Sequence, residues 1–133
     1  MVWPLYYALL YLMVFGIRVS SLWNEKSAQW IRGRKSWKTS LKKIPPKQAR
    51  RIWFHVSSLG EFEQARPVIE RLKQGDPSTQ IILSFFSPSG YEIRKNYALA
   101  DVYYLPADLP GRATSWLDQF QPDVAVFVKY DFW

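Results

Sequence analysis

The sequence predicts an α/β protein built on a parallel sheet with helices on its faces. Three observations carry this prediction. Four β-branched and aromatic runs recur between residues 51 and 133, helix-forming stretches lie between successive runs, and the junctions hold Gly, Pro, Ser and Asp. Strand and helix alternating in this way is the pattern of a Rossmann-like sheet with right-handed crossovers.

Residues 51–57 form the first expected strand, apolar on both alternating sets and therefore covered on both faces. Residues 61–73 follow as a helix with Phe62, Ala65, Ile69 and Leu72 on one stripe; Pro67 implies a start near Ala65 or a bend. A second strand, 80–86, comes after Gly75-Asp76-Pro77-Ser78. The segment Ser87-Pro88-Ser89-Gly90 then turns into a helix over 91–98. A third strand, 102–105, leads to a helix containing Ala113, Trp116, Leu117 and Phe120, with Asp108 as a candidate cap and Pro110 suited to the first turn. The fourth strand is 123–129. No closing helix follows it before Trp133, so the chain is expected to be the leading part of a longer protein.

A chain of 133 residues can bury one sizeable core but not two. It has no Cys, which excludes a disulfide framework, a thiol nucleophile and a cysteine-based zinc site. His55 is the single histidine, so a polyhistidine metal centre is excluded as well. The net charge of +7 is unevenly spread. Residues 1–50 hold ten Lys/Arg and one carboxylate, whereas residues 51–133 hold eight Lys/Arg and ten carboxylates. A basic segment attached to a nearly neutral domain is not the face-wide footprint of a folded nucleic-acid module, and no nucleic-acid partner is expected.

The organisation read from these features has three parts: a membrane-anchor helix over 1–23, a basic juxtamembrane segment over 24–50 and the α/β domain over 51–133. Residues 1–17 carry no charge and are apolar nearly all round from Leu5 to Phe15. At 1.5 Å per residue that run reaches about 26 Å, the short end of what crosses a bilayer core. It can lengthen past Arg18 through Val19 and Leu22 to Trp23, with Trp3, Tyr6, Tyr7 and Trp23 near headgroup level. The Lys/Arg excess from Lys26 to Arg51 predicts a cytoplasmic C-terminal side resting on an anionic membrane surface. The competing reading is a helix packed on the domain beside a solvated basic run. Pro45-Pro46 marks the boundary with the domain.

Ligands of open parallel sheets bind outside the carboxyl ends of the strands. The first such loop is Ser57-Ser58-Leu59-Gly60-Glu61. Gly60 either adopts a conformation closed to other residues or lets a ligand approach, and Glu61 stands at a helix N-terminus. A carboxylate there suits a base that must be ionised before it acts, and it is equally an ordinary cap. In the second loop, Ser87, Ser89 and Gly90 can hold a phosphate or sugar hydroxyl, or Ser89 can act as N-cap with Glu92 closing a capping box. Dinucleotide and Walker fingerprints are absent. His55 reads as a core histidine bonded to neighbouring backbone. At the fourth strand's end, Lys129 is a candidate to meet an anionic ligand, and Asp131 to orient it or cap a following helix.

Taken in order, Trp53-Phe54-His55-Val56-Ser57-Ser58-Leu59-Gly60-Glu61, Ser84-Phe85-Phe86-Ser87-Pro88-Ser89-Gly90-Tyr91-Glu92, Tyr104-Leu105-Pro106-Ala107-Asp108-Leu109-Pro110-Gly111 and Lys129-Tyr130-Asp131-Phe132-Trp133 resemble the N-terminal part of the 3-deoxy-D-manno-octulosonic acid (Kdo) transferases of Gram-negative bacteria. The last motif departs from the commoner acidic-Thr-acidic-Leu-Trp pattern at Lys129 and Tyr130, so no carboxylate role carries over to position 129. The resemblance implies the acceptor-side half of a membrane-associated GT-B glycosyltransferase. That enzyme transfers Kdo with inversion from CMP-Kdo to a lipid A precursor at the cytoplasmic face of the inner membrane, without a cofactor. It further implies Glu61 as general base and Ser58 and Gly60 as loop-shaping residues. Ser87, Ser89 and Gly90 become a second cleft loop. The donor is expected chiefly on a C-terminal nucleotide-binding domain, and this chain alone is expected to be inactive. The rival from another class is a membrane-tethered Rossmann-like binding or scaffold domain without chemistry.

Overall fold

The computed structural model describes residues 3–128. Four strands, β1 (Arg51–Val56), β2 (Gln80–Phe85), β3 (Asp101–Tyr104) and β4 (Val124–Phe127), pair in parallel in the order β3-β2-β1-β4. Arg51 opposes Gln80 across β1–β2, and Ile52 opposes Val124 across β1–β4. The chain therefore steps outward from β1 to β3 and then crosses back to lay β4 on the far side of β1. That reversal next to β1 is a topological switch point, where open α/β sheets leave a crevice.

Every residue of β1 is buried, as its two apolar sets require. Ile52, Phe54 and Val56 face α4 (Leu59–Gly75) through Phe62, Ala65 and Ile69. On the other face Trp53 and Ile82 pack with Leu41 and Ile44, and with Trp116 and Phe120 of α6 (Arg112–Phe120). Fully burying each of the large apolar side chains stabilises the fold by roughly 1.5–3 kcal/mol. The expected α/β layering is thus observed, preceded by the apolar helix α1 (Trp3–Ser20).

Local boundaries differ from expectation for identifiable reasons. Helix α4 neither starts at Ala65 nor waits for Glu61: Ser58 caps it and it runs from Leu59 through Pro67. Pro67 is exposed, so water can take the carbonyl that the ring leaves free. Asp108 does not cap α6. That position falls to Gly111, in the left-handed region at φ 77°, while Asp108 accepts a 2.8 Å hydrogen bond from Tyr6 Oη. Helix α1 ends at Ser20, leaving Leu22 and Trp23 in a turn.

The basic segment folds into two helices, α2 (Glu25–Lys35), capped by Asn24, and α3 (Trp37–Leu41). Not all of its cations are available to a lipid surface. Arg34 and Arg51 are buried, Arg34 on the carbonyls of Leu105 (2.7 Å) and Phe86 (2.6 Å), Arg51 on those of Phe120 (2.8 Å) and Pro45 (2.6 Å). Trp30 is buried too, stacked beneath the Arg34 guanidinium at 3.9 Å. Helix α1 rests on this layer: Leu10 is buried with Trp30, Ala107 and Leu109, while Leu5, Leu9, Leu12 and Phe15 are exposed.

Candidate functional site

The two serine loops at the carboxyl ends of β1 and β2 lie side by side because the parallel register continues past the strands. Phe86 N–H donates to Val56 O at 3.2 Å and Ser87 N–H to Ser57 O at 2.9 Å. Gly90 closes the approach. A Cβ there would stand 2.6 Å from the Phe85 ring and 3.1 Å from Leu59 N, so only glycine lets α5 (Pro88–Arg94) seat against the start of α4.

Glu61 occupies the third position of α4, where free N–H groups favour a negative charge. Ser58 Oγ accepts from Glu61 N–H at 3.4 Å, and Glu61 Oε2 accepts from Ser57 N–H at 2.5 Å. This is a reciprocal cap that reaches one residue further back than the usual capping box. Among the described residues Glu61 Oε1 makes no hydrogen bond, which leaves an acceptor oxygen at the mouth of the loop. Gly60 has no positive φ, and an added Cβ would meet only Ser58 Oγ at 3.9 Å. The conformational reason for glycine at this position is therefore overturned: neither backbone nor crowding requires it.

The second loop differs from expectation in its cap. Ser87, not Ser89, is the N-cap of α5, with Pro88 at the first helical position, and no side-chain cap bond forms. Ser87 Oγ and Ser89 Oγ instead bond each other at 2.7 Å, presenting a hydroxyl pair beside the Glu61 loop. Lys129 and Asp131 lie outside the described residues.

A cavity of about 260 Å³ opens at the switch point between β1 and β4, walled by Trp53, His55, Asp108, Arg112, Trp116 and Phe127 among others. Glu61 does not line it. His55 is a core residue as expected, and among the described residues its Nδ1 lies 2.8 Å from the side-chain Oγ of Ser84, which accepts from Trp53 Nε1 at 2.8 Å. Sequence reasoning missed Arg34, whose guanidinium joins the ends of β2 and β3. Burial lowers it to about 9, so it remains a cation at neutral pH. The missed Tyr104 phenol is raised by burial and by Glu92, and stacks on Tyr91 at 3.9 Å. Nothing in the spacing of Arg34 separates it from the exposed cations around it.

A family model described as 3-Deoxy-D-manno-octulosonic-acid transferase (kdotransferase) matches residues 34–133. The chain belongs to this family. Its match starts at the buried Arg34 and takes in the whole sheet and both serine loops. Among relatives, the 3-deoxy-D-manno-octulosonic acid transferase of Haemophilus influenzae is 33% identical over 92 residues, covering 67% of this chain and 21% of the relative. That of Aquifex aeolicus is 29% identical over 102 residues, 70% of this chain and 28% of the relative. A probable mitochondrial 3-deoxy-D-manno-octulosonic acid transferase of Arabidopsis thaliana is 29% identical over 84 residues, 62% and 19% respectively. The chain thus spans 19–28% of the length of these relatives.

Proposed function

We propose that this chain forms the acceptor side of an inverting glycosyltransferase that moves Kdo from CMP-Kdo to a lipid A precursor in lipopolysaccharide core assembly. Family membership supports the reaction class. The observation that carries the site is Glu61, seated in the first turn of α4 with one oxygen on Ser57 N–H and the other without a hydrogen bond among the described residues. In the proposed step Glu61 takes the acceptor hydroxyl proton as that oxygen bonds to the anomeric carbon of Kdo. The bond to CMP breaks, CMP leaves with the electron pair, and configuration inverts. Ser58 and Gly60 shape the loop, while Ser87, Ser89 and Gly90 position the acceptor. Lys129 and Asp131 are further acceptor-side candidates. The donor belongs to a nucleotide-binding domain outside the region shared with the relatives, no cofactor takes part, and the 133 residues alone are expected to release no CMP.

Membrane association is part of the proposal. Helix α1 is long and apolar enough to cross a bilayer, yet one stripe of it packs on the domain while Leu5, Leu9, Leu12 and Phe15 stay exposed. A helix held along its length in this way suits an in-plane position, at the cytoplasmic face of a bacterial inner membrane given the Lys/Arg excess that follows it.

The test is Glu61→Gln in a full-length relative, assayed by CMP release. Gln retains an acceptor for Ser57 N–H and so preserves the cap, but it cannot take the proton. Turnover is expected to fall by about 10²-fold or more with the melting temperature unchanged. Normal turnover would sink the base assignment; stability and activity falling together would favour a purely structural Glu61.

A further inference from the structure

Between α1, α2 and the 107–112 loop runs a groove of about 790 Å³, larger than the switch-point cavity and distinct from both serine loops. Its walls divide by chemistry. Tyr11 and Phe15 form an apolar side, while Arg18, Lys35 and Arg112 supply charge, with no Asp or Glu among the lining residues. The buried Arg34 also reaches the groove, but its guanidinium is committed to carbonyl oxygens. Among the described residues none of Arg18, Lys35 and Arg112 takes part in an ion pair. Arg32, also on α2, is by contrast bonded to Glu25. Arg112 packs against the Trp37 ring at 5.5 Å and is lowered first by burial, against the opposing Tyr11, and then by the charge of Arg18. Arg18 and Arg112 therefore repel across a site with no counter-charge among the described residues that line it.

The groove also has the right surroundings for an amphiphile. Tyr11 and Phe15 are 55% and 62% exposed, and they continue into the bare stripe of Leu5, Leu9 and Leu12. Its volume lies within the range of about 300–1,000 Å³ typical of ligand sites, well beyond the needs of one inorganic anion.

We infer that this groove seats an anionic membrane phospholipid, its phosphate among Arg18, Lys35 and Arg112 and its first acyl carbons along Tyr11 and Phe15. Three unpaired cations beside an apolar wall match a phosphate joined to a hydrocarbon, and neither half alone uses both walls. The inference rests on the membrane reading of α1. It adds a specific headgroup seat that fixes how the sheet's carboxyl end meets the bilayer.

Co-sedimentation of the full chain with vesicles of phosphatidylcholine, alone or mixed with phosphatidylglycerol, tests it. Three proteins are compared: wild type, Arg18→Gln/Arg112→Gln, and Arg71→Gln/Lys95→Gln, a control with the same charge change at exposed positions outside both the groove and the basic segment. Circular dichroism verifies folding, and Arg18→Gln/Lys35→Gln replaces the first variant if it does not fold. The groove variant is expected to lose about tenfold or more of its affinity for phosphatidylglycerol vesicles. The control should lose clearly less, and binding to pure phosphatidylcholine should be equal for all three. Equal losses in groove variant and control would overturn the seat and leave membrane association standing. Failure of wild type to bind any vesicle would overturn both. Full displacement by millimolar inorganic phosphate would mark a soluble-anion site and refute the lipid assignment.

Discussion

Replacing Arg34 by Met should loosen the floor beneath the second serine loop. The guanidinium donates to Leu105 O at 2.7 Å and to Phe86 O at 2.6 Å, and it stacks on Trp30 at 3.9 Å. Met fills much of the same volume but donates nothing, so both carbonyls lose their donor at a cost of about 1–3 kcal/mol each. The lost cation–π contact adds about 1 kcal/mol. Relief of the burial that holds this cation down to about 9 offsets part of the loss. The net expectation is a destabilisation of about 2–4 kcal/mol. Arg34→Lys should fall between wild type and Met, because an ammonium serves one carbonyl well but lacks the planar fork that spans two. Urea unfolding in a mild non-ionic detergent, followed by tryptophan fluorescence, measures the series with wild-type slope as the two-state check. Met within 0.5 kcal/mol of wild type, or Lys equal to wild type, would refute the bridging role.

Three further outcomes are expected. Gly90→Ala forces a Cβ to within 2.6 Å of the Phe85 ring and should cost about 1–3 kcal/mol by thermal melt; a neutral result would mean that α5 can move away from α4 freely. Ser58→Ala removes the N-cap oxygen of α4 and should cost about 1 kcal/mol by urea unfolding, with no loss contradicting the cap. Burial, aided by Asp101, lifts the Tyr103 phenol to about 12. Its unfolded value is about 10. Because the folded value is the higher one, the stability it contributes is intact below about pH 10 and is lost as pH rises through about 12. Tyr103→Phe should flatten that alkaline decline in a circular-dichroism titration, and an unchanged slope would count against it.

The reading of the chain succeeded where the physics is local. The run apolar on both sets over 51–57 and the stripe Phe62, Ala65, Ile69 are properties of a buried strand and an amphipathic helix by themselves, and the packing bears out both. Glu61 as a first-turn carboxylate was legible for the same reason, but Ser58 was read only as loop-shaping, and its place as N-cap emerges only with the helix starting at Leu59. Asp108 was misassigned because its partner, Tyr6, is 102 residues away. Ser89 was misassigned because Pro88 suits the first helical position and pulls the cap back to Ser87.

The amino-acid order by itself determined the α/β class, through periodicity and turn chemistry, and the family, through the resemblance that its ordered motifs carry; a base at Glu61 is what that resemblance implies. Tertiary structure alone decided which cations serve the fold and which face outward. In sequence Arg34 and Lys35 are adjacent members of one basic segment. In space one is spent on two carbonyls brought to it from 52 and 71 residues away, and the other lines an open groove. The same holds for α1, apolar on every side in sequence: only packing against Trp30 and Leu109 separates the stripe that holds the domain from the stripe left bare. A side chain's charge or hydrophobicity is intrinsic, but the surroundings it meets are set by distant segments.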